Sequence, residues 1–306
     1  MSVGILILAG GLGKRMNSEL PKVLHTLNNK TLIQCVIETG NKLNPSKIGI
    51  IVGKYRYQIE KSINETFDEY TRNKIEYIIQ EEENGTGHAV QCATEFIQNY
   101  ERILVLSGDV PKITIKTLIQ LINSDSKCVI LVNELENPTG YGRIVYKGNK
   151  VKIMEEKDCN YKEKSIKEIN SGIYCFENNT LQEHLKKLEC NNSHNEYDLT
   201  DIVTFYEDGV EVIKSENNNE ILGVNNLEQL EYLEYLEILS TNQILNKYLV
   251  GVIGLGFVGS SIYKSLYLKG CQVKGYDKDK TKSHNYFEYL LECNILFLCL
   301  PTIYNE

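Results

Sequence analysis

The strongest constraint on this chain is an alternation. Short apolar runs rich in β-branched residues recur at Val3–Ala9, Lys47–Val52, Ile75–Ile79, Arg102–Ser107 and Cys128–Asn133, and longer segments with helical apolar spacing separate them. That pattern predicts an α/β domain built on a mostly parallel sheet covered by helices. After Asn133 the rhythm changes. Gly142–Tyr146, Lys150–Met154 and Ile169–Phe176 follow one another across short turns, which predicts an antiparallel excursion before helices return at Leu181–Leu188 and Leu199–Tyr206. Leu227 to Tyr248 reads as one long helix, with Leu227, Leu230, Leu233 and Leu236 at three-residue steps. Such a stripe suits an amphipathic helix packing on the domain before it, with a partner-binding zipper as the alternative. From Tyr248 a strand, a glycine turn and a helix begin again. The expected division is therefore 1–229, a helical connector over 230–247, and a second α/β piece over 248–306.

Composition removes several classes of function. A net charge of −8 and a pI near 5.4 argue against binding a nucleic-acid backbone, which needs clustered Lys and Arg. A phosphate site must then be local, made by a few cations in one place. Nine cysteines without a C-x-x-C pair suit reduced thiols in a cytosol-like compartment. The N-terminus passes straight into an apolar run with no basic leader, and no stretch reaches transmembrane length. The expectation is a cytoplasmic protein with no membrane partner.

The local phosphate site is legible directly after the first run. In Leu8-Ala-Gly-Gly-Leu-Gly-Lys-Arg-Met16, the glycines let the backbone of Ala9, Gly10 and Gly11 approach a phosphate, with successive amides facing one concavity. Arg15 contributes a planar fork, and Lys22 of Pro21-Lys22 a point charge. The loop is neither a P-loop nor a dinucleotide turn, because both glycine orders are absent. Farther on, Asp109 in Ser107-Gly-Asp-Val-Pro111 follows a strand and would stand at the carboxyl edge of the sheet, where open α/β folds bind ligands. Taken alone, it reads equally as a turn cap or as a hard oxygen ligand. Glu155 alone reads as a surface residue, and His88 as a residue that shapes the turn at the start of its helix.

These segments together resemble the sugar nucleotidyltransferases, and within them the GlmU-type N-acetylglucosamine-1-phosphate uridyltransferase domains. Leu20-Pro-Lys-Val-Leu-His-Thr-Leu27 is close to that family's version, and the resemblance runs in order over roughly the first 230 residues. It implies a nucleotide-diphospho-sugar transferase fold. In Gln80-Glu-Glu-Glu-Asn-Gly-Thr-Gly-His-Ala89 it implies uracil contacts from Gln80, Gly85 and Thr86. Asn137-Pro-Thr-Gly-Tyr-Gly-Arg-Ile-Val145, Glu155 and Ile169-Asn-Ser-Gly172 match sugar-binding elements, implying roles for Gly142, Glu155 and Asn170. Glu196-Tyr-Asp-Leu-Thr-Asp201 and Gly223-Val-Asn-Asn226 complete the set, with Asn225 and Asp109 implied as Mg²⁺ ligands and Asn225 also as a substrate contact. Two positions depart from the family. Ser107 stands where an aromatic residue is common, removing a wall of the sugar site, and Lys14 stands where Thr is usual, adding charge beside the triphosphate.

The implied activity is a cytoplasmic, Mg²⁺-dependent UDP-N-acetylglucosamine pyrophosphorylase, with UTP and N-acetylglucosamine 1-phosphate as its substrates. In-line attack by the sugar phosphate on the α-phosphorus needs no general base, since the attacking oxygen is already anionic. The alternatives are a UTP-dependent pyrophosphorylase for another hexose 1-phosphate such as glucose 1-phosphate, and a non-catalytic nucleotide-sugar binding protein. No hexapeptide repeat predicts an acetyltransferase. The tail differs. Gly254-Leu-Gly-Phe-Val-Gly259 follows a strand and opens a helix, and Asp277 ends the next strand, as a dinucleotide fingerprint requires. This stretch and Asn294-Ile-Leu-Phe-Leu-Cys-Leu-Pro-Thr302 resemble the opening of nucleotide-sugar dehydrogenases, a truncated Rossmann βαβ piece. A remnant or docking appendage is expected there, with NAD binding as the alternative.

Overall fold

A computed structural model describes residues 2–300 apart from 12, 17, 149 and 191–194, and leaves undescribed the side chains of Lys14 and of residues 240–247. Pro301 and Thr302 of the dehydrogenase-like segment lie outside the described residues. The chain divides into two compact units, Met1–Glu231 and Tyr232–Glu306.

The first unit is organised by strands that are apolar at most positions. β1 (Val3–Leu8), β2 (Ile48–Val52), β3 (Ile75–Ile79), β4 (Arg102–Ser107) and β5 (Cys128–Glu134) supply its centre. Ile5, Leu6, Ile7, Ile48, Ile50, Ile51, Leu104 and Val105 are all fully buried, as expected for strands covered on both faces. Alternate residues feed opposite cores. Ile5 and Ile7 join one cluster with Ile33, Val36 and Ile37, whereas Leu6 joins the other with Val90, Phe96 and Leu181. Helix α1 (Leu32–Asn41) starts on a capping box, with Thr31 receiving Gln34 N and the Gln34 side chain receiving Thr31 N.

The antiparallel excursion does not leave this sheet. β6 (Arg143–Lys147) and β7 (Lys150–Met154) form a hairpin, and β8 (Glu168–Glu177) then returns antiparallel between β4 and β5. With β9 (Glu211–Lys214) the order is β9-β5-β8-β4-β1-β2-β3, and β6 pairs with β8 beside this path, giving nine strands. Residues 199–205, expected as a helix of ordinary pitch, wind instead as 3-10 turns. Their buried apolar residues Leu199, Ile202 and Val203 still stand at the i, i+3 and i+4 positions that suggested a helix.

Sheet order fixes the place of chemistry. From β1 the chain moves one way to β2 and β3, then crosses back to β4 on the other side of β1. Strand order therefore reverses at the carboxyl ends of β1 and β4, whose last residues Leu8 and Ser107 are in register. The loops after them diverge and leave a crevice.

The long helix spans Leu227–Lys247, and Leu230 and Leu233 on its stripe are buried. In the second unit, β10 (Leu249–Ile253), β11 (Gln272–Tyr276) and β12 (Ile295–Leu298) form a parallel three-stranded sheet in the order β11-β10-β12, with the helix Phe257–Leu268 between the first two. All four β12 residues are exposed. Among the described residues no helix is long and apolar enough to cross a membrane.

Candidate active site

Four strand ends converge on one rim. Ala9 N donates to Ile51 O at 2.9 Å, Gln80 N to Val52 O at 2.8 Å and Gly108 N to Leu8 O at 3.0 Å, so the glycine loop, Gln80 and Asp109 follow adjacent strands. Within the loop, Gly13 has φ +61°, and a Cβ there would stand 2.7 Å from Lys22 Cβ. Only glycine lets the loop fold over the Lys22 stem.

The charged residues meet here. Lys22 Nζ forms an ion pair with Asp109 Oδ2 and also reaches Asn225 Oδ1 at 3.4 Å. Arg15 Nη2 donates to the same Asn225 oxygen at 3.1 Å. Ser107 Oγ donates to the other Asp109 oxygen, Oδ1, at 2.6 Å. Asp109 is only 6% exposed. Burial pulls its carboxyl upward, but the Lys22 charge and the hydrogen bonds from Lys22 and Ser107 outweigh this and hold it below the ordinary carboxylate range. Residues 15, 22, 109 and 225, separated by up to 210 positions, thus form one connected group.

This arrangement suits a hard cation. The oxygens of Asp109 and Asn225 already bracket one positive charge, the Lys22 ammonium. Among the described residues no group of three or more His, Cys, Asp or Glu could hold a metal. A divalent ion here would take two protein oxygens and complete its shell from phosphates and water, the usual habit of Mg²⁺.

The residues expected to contact the base form a second group. Gln80 is 5% exposed, and its Nε2 donates to Gly85 O at 3.0 Å. Its Oε1 would lie 2.9 Å from a Cβ on Gly10, which brings the base side against the glycine loop. Gly85 has φ +100°, and a Cβ there would meet Tyr197 O at 2.5 Å. The 195–200 segment seals this turn: Gly87 N donates to Tyr197 O at 2.7 Å and Leu199 N to Thr86 Oγ1 at 3.0 Å. His88 Nδ1 lies 3.0 Å from Glu82 O, a contact that needs its Nδ1–H tautomer, so His88 braces the turn as expected.

The residues expected to contact the sugar form a third. Asn170 N donates to Gly142 O at 2.9 Å, and a Cβ on Gly142 would stand 3.6 Å from Glu155 Oε1. Thr200 Oγ1 donates to Glu155 Oε1 at 3.1 Å. Asn170 Nδ2 donates to Tyr174 OH at 2.6 Å, and Asn170 itself is buried. Sequence reading missed three members of this surround: the hydroxyl of Ser107 on Asp109, Thr200 on Glu155, and Tyr141. Thr200 lay inside a recognised motif, but nothing in its spacing assigned it a partner.

In the second unit Leu255 N donates to Asp277 Oδ2 at 2.6 Å, so the fingerprint acid closes onto its own glycine turn.

A mostly parallel sheet, with a glycine-rich anion loop at its switch point and a buried carboxylate opposite, defines an α/β protein of the nucleotide-diphospho-sugar transferase type. The model of the family described as "Nucleotidyl transferase" matches residues 5–219, and the chain belongs to that family. The bifunctional protein GlmU of Thermosipho melanesiensis is 44% identical over 225 residues, 72% of this chain and 47% of that protein. The bifunctional protein GlmU of Francisella tularensis subsp. novicida is 42% identical over 236 residues, 75% of this chain and 50% of that protein. The chain thus spans about half the length of the curated relatives it matches. Among solved structures, a UDP-glucose pyrophosphorylase in complex with UDP-glucose has a TM-score of 0.61 at 18% identity, covering 78% of this chain and all of that one. A Bacillus anthracis protein described as a glucose-1-phosphate thymidylyltransferase also has a TM-score of 0.61 at 18% identity, covering 77% of this chain and 95% of that one. At such identity these two establish the fold alone.

Proposed function

We propose that this chain is a cytoplasmic, Mg²⁺-dependent UDP-N-acetylglucosamine pyrophosphorylase, transferring uridylyl from UTP to N-acetylglucosamine 1-phosphate with release of pyrophosphate. The observation that carries this reading is the meeting of Arg15, Lys22, Asp109 and Asn225 at the switch point of a nucleotidyl transferase fold. The GlmU relatives and the ordered motifs of the first 230 residues favour uridylyl and an N-acetylated sugar. We assign the reaction to 1–229, with 230–247 as a connector and 248–306 as a partial Rossmann piece outside the chemistry.

Catalysis on this reading is alignment and charge neutralisation, not proton transfer. The glycine-loop backbone at Ala9, Gly10 and Gly11 and the Arg15 fork hold the β- and γ-phosphates, and Arg15 stays with the departing pyrophosphate. Lys22 turns from Asp109 to the α-phosphate, where negative charge grows. Gln80, Gly85 and Thr86 hold the uracil, and the hydrogen bonds that tie Thr86 and Gly87 to the 195–200 segment keep the base site fixed. Glu155, Asn170 and the Gly142 backbone orient the sugar so that its phosphate oxygen faces the α-phosphorus. Asp109 and Asn225 would hold Mg²⁺, which when bound would supply neutralisation of the phosphate charge.

One observation favours a second reading. Ser107, where the family often has a ring, turns its hydroxyl to Asp109 and lies 3.8 Å from a Cβ position on Gly172. A site without that wall suits glucose 1-phosphate or another hexose as well. Pyrophosphate release with UTP, Mg²⁺ and a panel of sugar 1-phosphates decides between the two, and no release with any sugar would reject both.

A further inference from the structure

The turn that follows Asn137-Pro-Thr touches three parts of the site with three successive residues. A Cβ on Gly140 would stand 3.7 Å from Arg15 Nη1, on the triphosphate side. On the sugar side, one on Gly142 would stand 3.6 Å from Glu155 Oε1 and from Asn170 Cβ. Between them Tyr141 reaches across to the loop that carries Asn225. Its hydroxyl donates to Gly223 O at 3.2 Å and accepts from Gly223 N at 3.1 Å.

Both ends of this connection are fixed. At its root, the Arg143 guanidinium donates to the Tyr141 carbonyl, and Arg143 is 1% exposed and ion-paired with Glu156 at 2.6 Å. At its tip, Tyr141 engages both polar groups of one residue, two positions before Asn225. That loop is also held by Val224 N on Asp109 O at 3.0 Å and by Asn225 N on Gln229 Oε1 at 2.6 Å, but neither bond involves the sugar side. A hydroxyl whose single proton is committed to a backbone carbonyl has no donor left for a substrate. Tyr141 therefore acts on the site through what it holds.

We infer that Tyr141 is a positioning residue that ties the sugar-side turn to the cation-side loop, so that filling one side changes the affinity of the other. The inference rests on the sugar-side and cation-side assignments proposed above. Its physical basis is the narrow tolerance of a small hard cation for the placement of its oxygens. A sugar settling on Gly142, Glu155 and Asn170 fixes the turn, the turn fixes Tyr141, and Tyr141 fixes the loop from which Asn225 offers its oxygen. Coupling of this kind is reciprocal: bound cation tightens the sugar by the same factor.

The test is a binding measurement that needs no turnover. Mn²⁺ is titrated by calorimetry into the full chain saturated with a UTP analogue bearing a methylene between the α- and β-phosphorus, with and without N-acetylglucosamine 1-phosphate. The sugar phosphate is expected to tighten Mn²⁺ about tenfold in the wild type, within the usual range for coupled sites. Tyr141→Phe keeps the ring and is expected to lose most of that factor. Asn225→Ala leaves Tyr141 in place, should lose the same factor, and covers the case in which Tyr141→Phe fails to fold. In the double variant, Tyr141→Phe should add nothing to Asn225→Ala, which a general loss of stability would not reproduce. Undiminished coupling in either single variant, or none in the wild type, overturns the inference. Absence of pyrophosphate release by the wild type would instead reject the proposed reaction, while the binding arm is still read.

Discussion

Lys22 and Asp109, 87 residues apart in the chain, form an ion pair at the carboxyl edge of the sheet, with side chains 21% and 9% exposed. The pair joins the loop after the first strand to the turn after the fourth. Lys22→Ala and Asp109→Ala are each expected to lower turnover at least ~100-fold, the scale seen when one preorganised charge is removed. Pyrophosphate release at saturating UTP, sugar phosphate and Mg²⁺ checks this, and near-normal turnover in both would discredit the assignments.

The same ion pair predicts competition. The Lys22 ammonium sits between the two oxygens assigned to the divalent cation, so metal entry requires it to move. Lys22→Gln should therefore bind Mn²⁺ without nucleotide about tenfold more tightly than the wild type, a coupling of ordinary size. Equal Mn²⁺ affinity in the two proteins, measured by calorimetry, would show that the ammonium does not hold the cation's place.

His184 carries a pH dependence away from the site. It packs edge-on against Tyr206, with ring centroids 4.5 Å apart, and its buried Nδ1 has no hydrogen-bond partner among the described residues. Burial first, and then the nearby Lys187 charge, hold its pKa below the ordinary value of 6.5. The unfolded chain then takes up the proton first, so this stabilisation is complete above pH 6.5 and is lost as pH falls through the lower folded value. Thermal unfolding between pH 7.5 and 5 should fall more steeply for the wild type than for His184→Phe; parallel curves would remove His184 as the cause.

Gly85 tests the proposed base site. Alanine there must adopt φ +100° and place its Cβ 2.5 Å from Tyr197 O. Strain of about 1–3 kcal/mol is expected, together with a displaced Thr86 and a KM for UTP raised about tenfold. Steady-state kinetics and thermal unfolding read the two effects separately, and unchanged values in both would contradict the turn described.

The second unit is expected to give a flat calorimetric trace when NAD is titrated into the full chain. Its fingerprint acid, Asp277, already accepts from Leu255 N, and among the described residues the apolar strand Ile295–Leu298 is exposed along its whole length. Saturable heat at millimolar NAD or below would assign that unit a ligand.

Much of the first unit was legible because its strands are buried on both faces. Val3–Leu8 and Ile48–Val52 can satisfy their apolar side chains only inside a covered sheet, and their sequences say so. The glycine loop was legible for a local reason, since Gly10, Gly11 and Gly13 directly after a strand free the backbone to face an anion, whereas the packing of Gly13 on the Lys22 stem emerged only from the structure. Residues 199–205 misled because three-residue apolar spacing fits a 3-10 turn as well as the first turns of an ordinary helix. Tyr141 was illegible for another reason. Its partner Gly223 lies 82 positions away, and backbone groups leave no mark in a sequence.

The return of Glu168–Glu177 between Arg102–Ser107 and Cys128–Glu134 also sets a timetable. A nascent chain that has emerged only as far as residue 160 carries two long apolar strands, each with an unfilled backbone edge beside it. Such edges recruit other chains. Until residue 177 has cleared the ribosome, the strand that closes those two edges is missing and they stay open to other chains.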